Sequence, residues 1–165
     1  NFTDSPIFWL STVYLQYAEA SVELGTATQA DLDKSINKLK ARAGLPALSV
    51  NVGFSDPANE MDVSDLIWEV RRERRTELMF DSWARYWDMI RWHQLDKRES
   101  KKNPDILLGA NIENDPYNTS GPRVGKYIDG SKGKERIFDT KHYWYPIPSD
   151  QISLNDNLSQ NPGWD

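Results

Sequence analysis

Cysteine is absent from the 165 residues. That absence excludes disulfide scaffolding, thiolate catalysis, iron–sulfur clusters and cysteine-based zinc sites, as well as any lipid-accepting cysteine within this stretch. A surplus of positive charge is also lacking. Against 25 Asp+Glu stand 20 Lys+Arg, a net charge of -5, whereas binding a phosphate backbone needs clustered Lys and Arg in excess; no nucleic acid is expected as a partner. No apolar run approaches the ~20 residues that cross a bilayer. No charged segment leads into an apolar one, so no signal peptide is expected in this stretch. Aliphatic residues are few: Leu, Ile, Val and Phe make up 36 of 165, close to the ~20% typical of disordered chains. Aromatic residues offset the shortage, because seven Trp and seven Tyr bury large apolar areas while keeping one polar atom bonded. The spacing and composition therefore point to a small, aromatic-heavy core, in a modest domain or a piece of something larger.

Four zones follow along the chain. Residues 5–44 predict an antiparallel helix hairpin. Ser5-Pro6 starts the first helix, Ile7, Leu10, Tyr14, Ala18 and Val22 form its apolar stripe, and Gly25 stops it. Thr28 and Asp31 have capping-box spacing, and Leu32, Ile36, Leu39 and Ala43 carry a second stripe up to Gly44 and Pro46. The pair resembles one tetratricopeptide-type unit. Residues 45–62 are a connection containing Pro46, Gly53 and Pro57. Residues 63–97 predict one long Arg- and Trp-rich helix, or two with a bend near Asp81-Ser82. In its middle stand seven consecutive polar residues, Arg71 to Glu77. The inward stripe through Ile67, Val70 and Leu78 must pass through Arg74, four residues from both Val70 and Leu78.

An unpaired guanidinium in a core costs several kcal/mol, so a carboxylate is expected to meet Arg74. Glu19 on the first helix is the expected partner, with Glu73 and Glu77 as rivals. Between Ser64 and Glu99 there are eight bases and eight acids, which favours a structural ion-pair network (Glu19, Arg71, Arg74, Glu77) over an anion-binding stripe. The last zone, 98–165, is loop-rich, and long loops are commonly functional or disordered. The run Tyr145-Pro146-Ile147-Pro148 is expected to be extended and to pack against the helical body. Ser149 is expected to cap a brief helix through Ile152, and Asn161-Pro162-Gly163 to form a turn.

Searches for catalytic motifs find little. His93 and His142 are far apart with no partner at metal-ligand spacing, as expected of ordinary side chains. There is no G-x-S-x-G elbow, and Gly133-Lys134 fails as a phosphate loop because Ile128 stands five residues before Gly133. Among 25 acids no carboxylate pair is singled out for glycoside hydrolysis. Asn1, Asn118 and Asn157 open Asn-x-Ser/Thr triplets, which matter only in a secreted eukaryotic protein. No metal and no organic cofactor is called for. In the long loop, Tyr117 and Tyr127 stand among Asn111, Asn114, Asn118 and Arg123, a composition suited to stacking on and hydrogen bonding to a ligand. Tyr117, Tyr127 and Arg123 are therefore the candidate ligand-binding residues.

Several blocks together point to a family. Leu15-Gln16-Tyr17-Ala18-Glu19-Ala20 with Glu23-Leu24-Gly25, and then Ile36-Asn37-Lys38-Leu39-Lys40-Ala41-Arg42-Ala43-Gly44-Leu45-Pro46, resemble the SusD/RagB family of Bacteroidetes. So do Arg71 to Phe80, Arg85-Tyr86-Trp87-Asp88-Met89-Ile90-Arg91-Trp92, Tyr145-Pro146-Ile147-Pro148 and Gln160-Asn161-Pro162-Gly163-Trp164, in the family's order. The resemblance implies a mainly α fold: a tetratricopeptide-like helix hairpin at 5–44, Arg/Trp-rich helices at 63–97 and an irregular loop-rich region at 98–165. It implies a non-catalytic glycan- or nutrient-binding lipoprotein, exposed on the cell outer membrane and delivering its ligand to a TonB-dependent transporter of the SusC type. Family chains are about three times longer and start with a signal peptide and a lipid-bearing cysteine, so residues 1–165 are expected to form the C-terminal portion of such a domain. Contact with the membrane would then run only through an N-terminal anchor outside this stretch. The matched blocks are scaffold motifs, and no ligand-binding residue is carried over from the family. Two other readings remain: a helical-repeat protein-interaction module without carbohydrate binding, and a polysaccharide-degrading enzyme.

Overall fold

The computed structural model describes residues 7–81, 83–114 and 120–164. The chain divides into two compact units, Asn1–Arg85 and Tyr86–Asp165.

The first unit is helical. Helix α1 (Leu10–Glu23) is followed by α2 (Gln29–Asp33), α3 (Ile36–Arg42) and α4 (Asp65–Glu77). The expected start at Ser5-Pro6 lies outside the described residues; α1 begins at Leu10 behind Trp9, with no side-chain cap. Its buried face is Leu15, Ala18, Glu19 and Val22, so the expected stripe is displaced at its start. Ile7 precedes the helix, and both Ile7 and Leu10 are exposed. The helix closes in a Schellman motif: Gly25 N–H donates to the Val22 carbonyl and Thr26 N–H to that of Ser21, with Gly25 at φ +67.

The second predicted helix is split in two. Thr28 and Asp31 form the expected capping box, but the backbone leaves helical geometry at Ser35 (φ -125, ψ -103). Side chains that compete with the helical ladder explain the break. Ser35 Oγ donates to the Asp31 carbonyl, and Asn37 Nδ2 donates to Asp33 Oδ1 at 2.7 Å. The buried Asn37 also fastens the following connection, donating to the Leu48 carbonyl and accepting from Leu48 N–H, while Gln29 makes a matching pair with Leu48 and Val50. Two polar side chains thus do the work of a strand partner for a stretch with no helix of its own.

Helix α4 is capped by Ser64, whose hydroxyl accepts from Ile67 N–H. It packs on α1, and Leu15, Ala18, Leu32, Ile36 and Val70 are all but sealed from solvent. The stripe does run through Arg74, which is 8% exposed between buried Val70 and Leu78. Arg74 Nε lies 3.9 Å from a Glu19 carboxylate oxygen. Around it Arg71 meets Glu23 at 2.7 Å, Lys40 meets Glu73 at 3.4 Å and Arg42 meets Glu77 at 2.6 Å. The two rivals for Arg74 are thus engaged by bases on α3. Beyond Leu78 the long-helix pattern breaks: Phe80 and Trp83 have positive φ, and α5 (Ala84–Arg91) starts anew.

The second unit has little regular structure and is tied by turns and side-chain hydrogen bonds. Helix α5 ends in another Schellman motif, with His93 at φ +53 where glycine is usual. Two 3-10 turns follow, Leu95–Arg98 and Pro104–Leu107. The region read from sequence as loop also holds a small antiparallel sheet of β1 (Leu108–Asn111), β2 (Arg123–Val124) and β3 (Tyr127–Asp129), in the order β1-β3-β2. A Cβ on Gly109 would stand 2.9 Å from the Ile128 carbonyl oxygen, so only glycine lets β1 approach β3 this closely. A third 3-10 turn, Thr140–Tyr143, leads to an extended segment and to α6 (Ser149–Leu154). Here Pro148 occupies the cap position and Ser149 is already helical, its carbonyl accepting from Ser153 Oγ. Ser149 is therefore not the cap: Pro148, held extended, sets the helix entrance by its fixed φ.

The extended segment is held as a strand would be. Gln160 accepts from Ile147 N–H and donates to the Ile147 carbonyl, at 2.8 and 2.9 Å, and Asn161 Nδ2 donates to the Tyr145 carbonyl at 2.6 Å. Asn161 to Trp164 form the expected turn, closed by Trp164 N–H on the Asn161 carbonyl with Gly163 at φ +80.

Candidate functional site

Within the second unit, α5, the Leu95–Arg98 turn, residues 136–145 and Trp164 surround an open cavity of about 410 Å³, within the range of ~300–1,000 Å³ typical of small-molecule sites. Its walls are rings. Phe138 meets Tyr143 edge-on at 5.5 Å and His142 at 6.2 Å, and His142 meets Trp164 at 5.9 Å. Each indole is anchored by its N–H: Trp144 Nε1 donates to the Pro162 carbonyl, and Trp164 Nε1 to the carbonyls of Lys141 and Trp144. Trp144 and Tyr145 remain 40% and 64% exposed although the polar atom of each side chain is already hydrogen-bonded. This is the arrangement a stacking platform requires, because a ring whose polar atom is already bonded loses little freedom when something lies on it.

Polar groups are few and placed at the rim. The Tyr86 and Tyr145 hydroxyls lie 3.0 Å apart. That hydrogen bond, with partial burial, holds the Tyr86 phenol above its ordinary pKa, against the opposing effect of Arg98. His142 Nδ1 accepts from Asp139 N–H at 2.8 Å, so the neutral ring carries its proton on Nε2. Arg98 lies 5.7 Å from the Tyr86 ring centre. Arg136 is brought alongside by Ser100: Ser100 N–H donates to the Arg136 carbonyl at 2.9 Å, and Arg136 N–H donates to Ser100 Oγ at 3.0 Å.

Of the loop residues expected to bind ligand, Tyr117 and Asn118 lie outside the described residues. Tyr127 and Arg123 both lie in the small sheet. Arg123 is opposite Ile128 and Val124 is opposite Tyr127, and directly paired residues share a face while neighbours alternate. Arg123 and Tyr127 therefore project to opposite faces of the sheet and do not close on one ligand. Neither lines the cavity. Lys126 extends over the Tyr127 ring and pairs with Glu113. The residues that do line the cavity include Tyr145 and Trp164, which belong to the closing motifs read as scaffold, and Trp144 just before the first of them. The signal for them was in the sequence: Tyr145 and Trp164 lie within two proline-containing runs, and Trp144 directly precedes the first.

Among the described residues no group of His, Asp and Glu is arranged to hold a metal ion, and no helix is long and apolar enough to cross a membrane. The sequence model that describes the SusD family matches residues 2–164. No curated protein and no solved structure matches the chain.

Proposed function

Because the chain belongs to the SusD family, a family of nutrient-binding outer-membrane proteins, we propose that it holds a glycan without chemical turnover at the cell surface and passes it to a TonB-dependent transporter of the SusC type. The observation that carries this reading is the open aromatic cavity of the second unit, with Trp144 and Tyr145 hydrogen-bonded through their polar atoms and still substantially exposed. Sugars present flat C–H faces and many hydroxyls. A pyranose fits on such rings while its hydroxyls meet the Tyr86–Tyr145 pair and the imidazole N–H of His142. Among the described residues no carboxylate lines the cavity, which supports binding over glycoside cleavage, since hydrolysis requires two of them flanking the bond. Affinity from one sugar on one ring is modest, because it rests mainly on the apolar area buried; a polymer engaging several sugar positions adds to it.

The test is calorimetry or affinity electrophoresis of the protein against a panel of plant, host and microbial glycans, with a reducing-end assay on the same mixtures. Saturable binding without new reducing ends is the expected result. Release of sugar would overturn the non-catalytic reading, and binding confined to peptides would remove the glycan.

A further inference from the structure

The charge around the cavity runs against the charge of the chain. Acids outnumber bases by 25 to 20 overall, yet among the described residues the lining carries Arg98 and Arg136 and no Asp or Glu. Elsewhere the arginines at the α1–α4 contact meet carboxylates, whereas among the described residues neither Arg98 nor Arg136 forms an ion pair. Their placement is built. Ser100, 6% exposed, is hydrogen-bonded to both backbone groups of Arg136 and stands two residues from Arg98, so the fold sets two like charges beside one cavity. The Tyr86 ring lies against the Arg98 guanidinium, which leaves the planar fork for a partner outside the protein. A bound anion in the cavity meets positive charge from both.

Resting on the reading of this cavity as a glycan site, we propose that it selects an anionic sugar: a pyranose lying on the aromatic wall of Trp144 and Tyr145, with its acidic group held between Arg98 and Arg136. Guanidinium forks match the paired oxygens of a carboxylate and of a sulfate ester alike, so the shared chemistry is a pyranose with an acidic substituent. The aromatic wall gives affinity for the ring and the arginines give the preference for charge.

The experiment titrates the whole chain by calorimetry with three oligosaccharides of equal length: oligogalacturonate, a sulfated galactan fragment and neutral galacto-oligosaccharide. At least one anionic oligomer is expected to bind ten-fold or more tightly than the neutral one, and to weaken as salt rises from 0.05 to 0.5 M as a screened charge interaction must. Which anionic oligomer binds identifies the acidic group. The double variant Arg98→Gln/Arg136→Gln is expected to erase the preference, and Arg98→Lys/Arg136→Lys to keep part of it, since the charge stays and the fork is lost. Both arginines are exposed, so the fold is expected to tolerate these changes, as checked by circular dichroism. Equal binding of the neutral oligomer, lost in Trp144→Ala but unchanged in the Gln variant, would overturn the charge preference and leave the glycan-binding function standing. Failure of every glycan to bind the folded protein would overturn both.

Discussion

The two units solve the same problem, a shortage of aliphatic residues, in different ways. The first concentrates what the chain has: Leu15, Ala18, Leu32 and Ile36 reach 0% exposure with Val70 at 1%, and Arg74, which interrupts the apolar stripe, faces Glu19. The second has few sealed apolar side chains, Met89 and Leu95 among them, and instead fastens backbone to side chain, as at Ser100–Arg136, Gln160–Ile147 and Asp129, whose carboxylate accepts from Ser131 and Gly133. Burial stabilises by area and leaves nothing exposed to use. Hydrogen-bonded turns hold a backbone still while its rings remain open to solvent, and the cavity lies in the unit built that way.

Changes that attack this contrast should differ in size. Arg74→Ala removes the cation that faces the buried Glu19 carboxylate and is expected to cost about 3–5 kcal/mol in denaturant unfolding; pairing Arg74→Met with Glu19→Gln should recover most of that loss. Leu32→Ala, at a site with no solvent exposure, is expected to cost about 2–5 kcal/mol. In the second unit, Gly109→Ala forces β1 from β3 and is expected to cost about 1–3 kcal/mol, with faster amide exchange confined to the sheet. Gln160→Ala, which frees both backbone groups of Ile147, is expected to cost about 1–2 kcal/mol and to lower glycan affinity by loosening Tyr145.

The smallest expected effect is a pH dependence. Asp31 is held below its ordinary value of 3.8 by Lys34, Thr28 and Tyr17, and Asp33 by Gln29 and Asn37. A carboxylate with a depressed pKa in the folded state stabilises it above the unfolded value, and that contribution is lost as pH falls through the folded one. Stability measured from pH 6 down to pH 2 is therefore expected to decline below about pH 4, with a shallower decline in Asp31→Asn.

Much of the first unit was legible because its signals are local and periodic. The capping box at Thr28, the stops at Gly25 and Gly44, and the interruption of a buried stripe by Arg74 all follow from three- and four-residue spacing. The break at Ser35 was hidden because Ile36 and Leu39 continue the helical period, and what overrides it is the reach of Asn37 to Leu48, a contact eleven residues away. In the second unit the sheet escaped notice because β2 and β3 are two and three residues long, too short for alternation to register. Its one local sign is Gly125-Lys126 between Val124 and Tyr127, a two-residue hairpin turn with Gly125 at φ +58. The cavity was hidden because it joins residues 86, 98, 136 and 164, and no spacing rule links them.

The most direct test of the account is hydrogen–deuterium exchange on the protein with and without the tightest oligosaccharide of the panel. Slower exchange is expected in residues 86–100 and 136–164, with α1 and α4 unchanged. Protection centred on α1 to α4, with none around the cavity, would contradict the claim that the second unit holds the ligand.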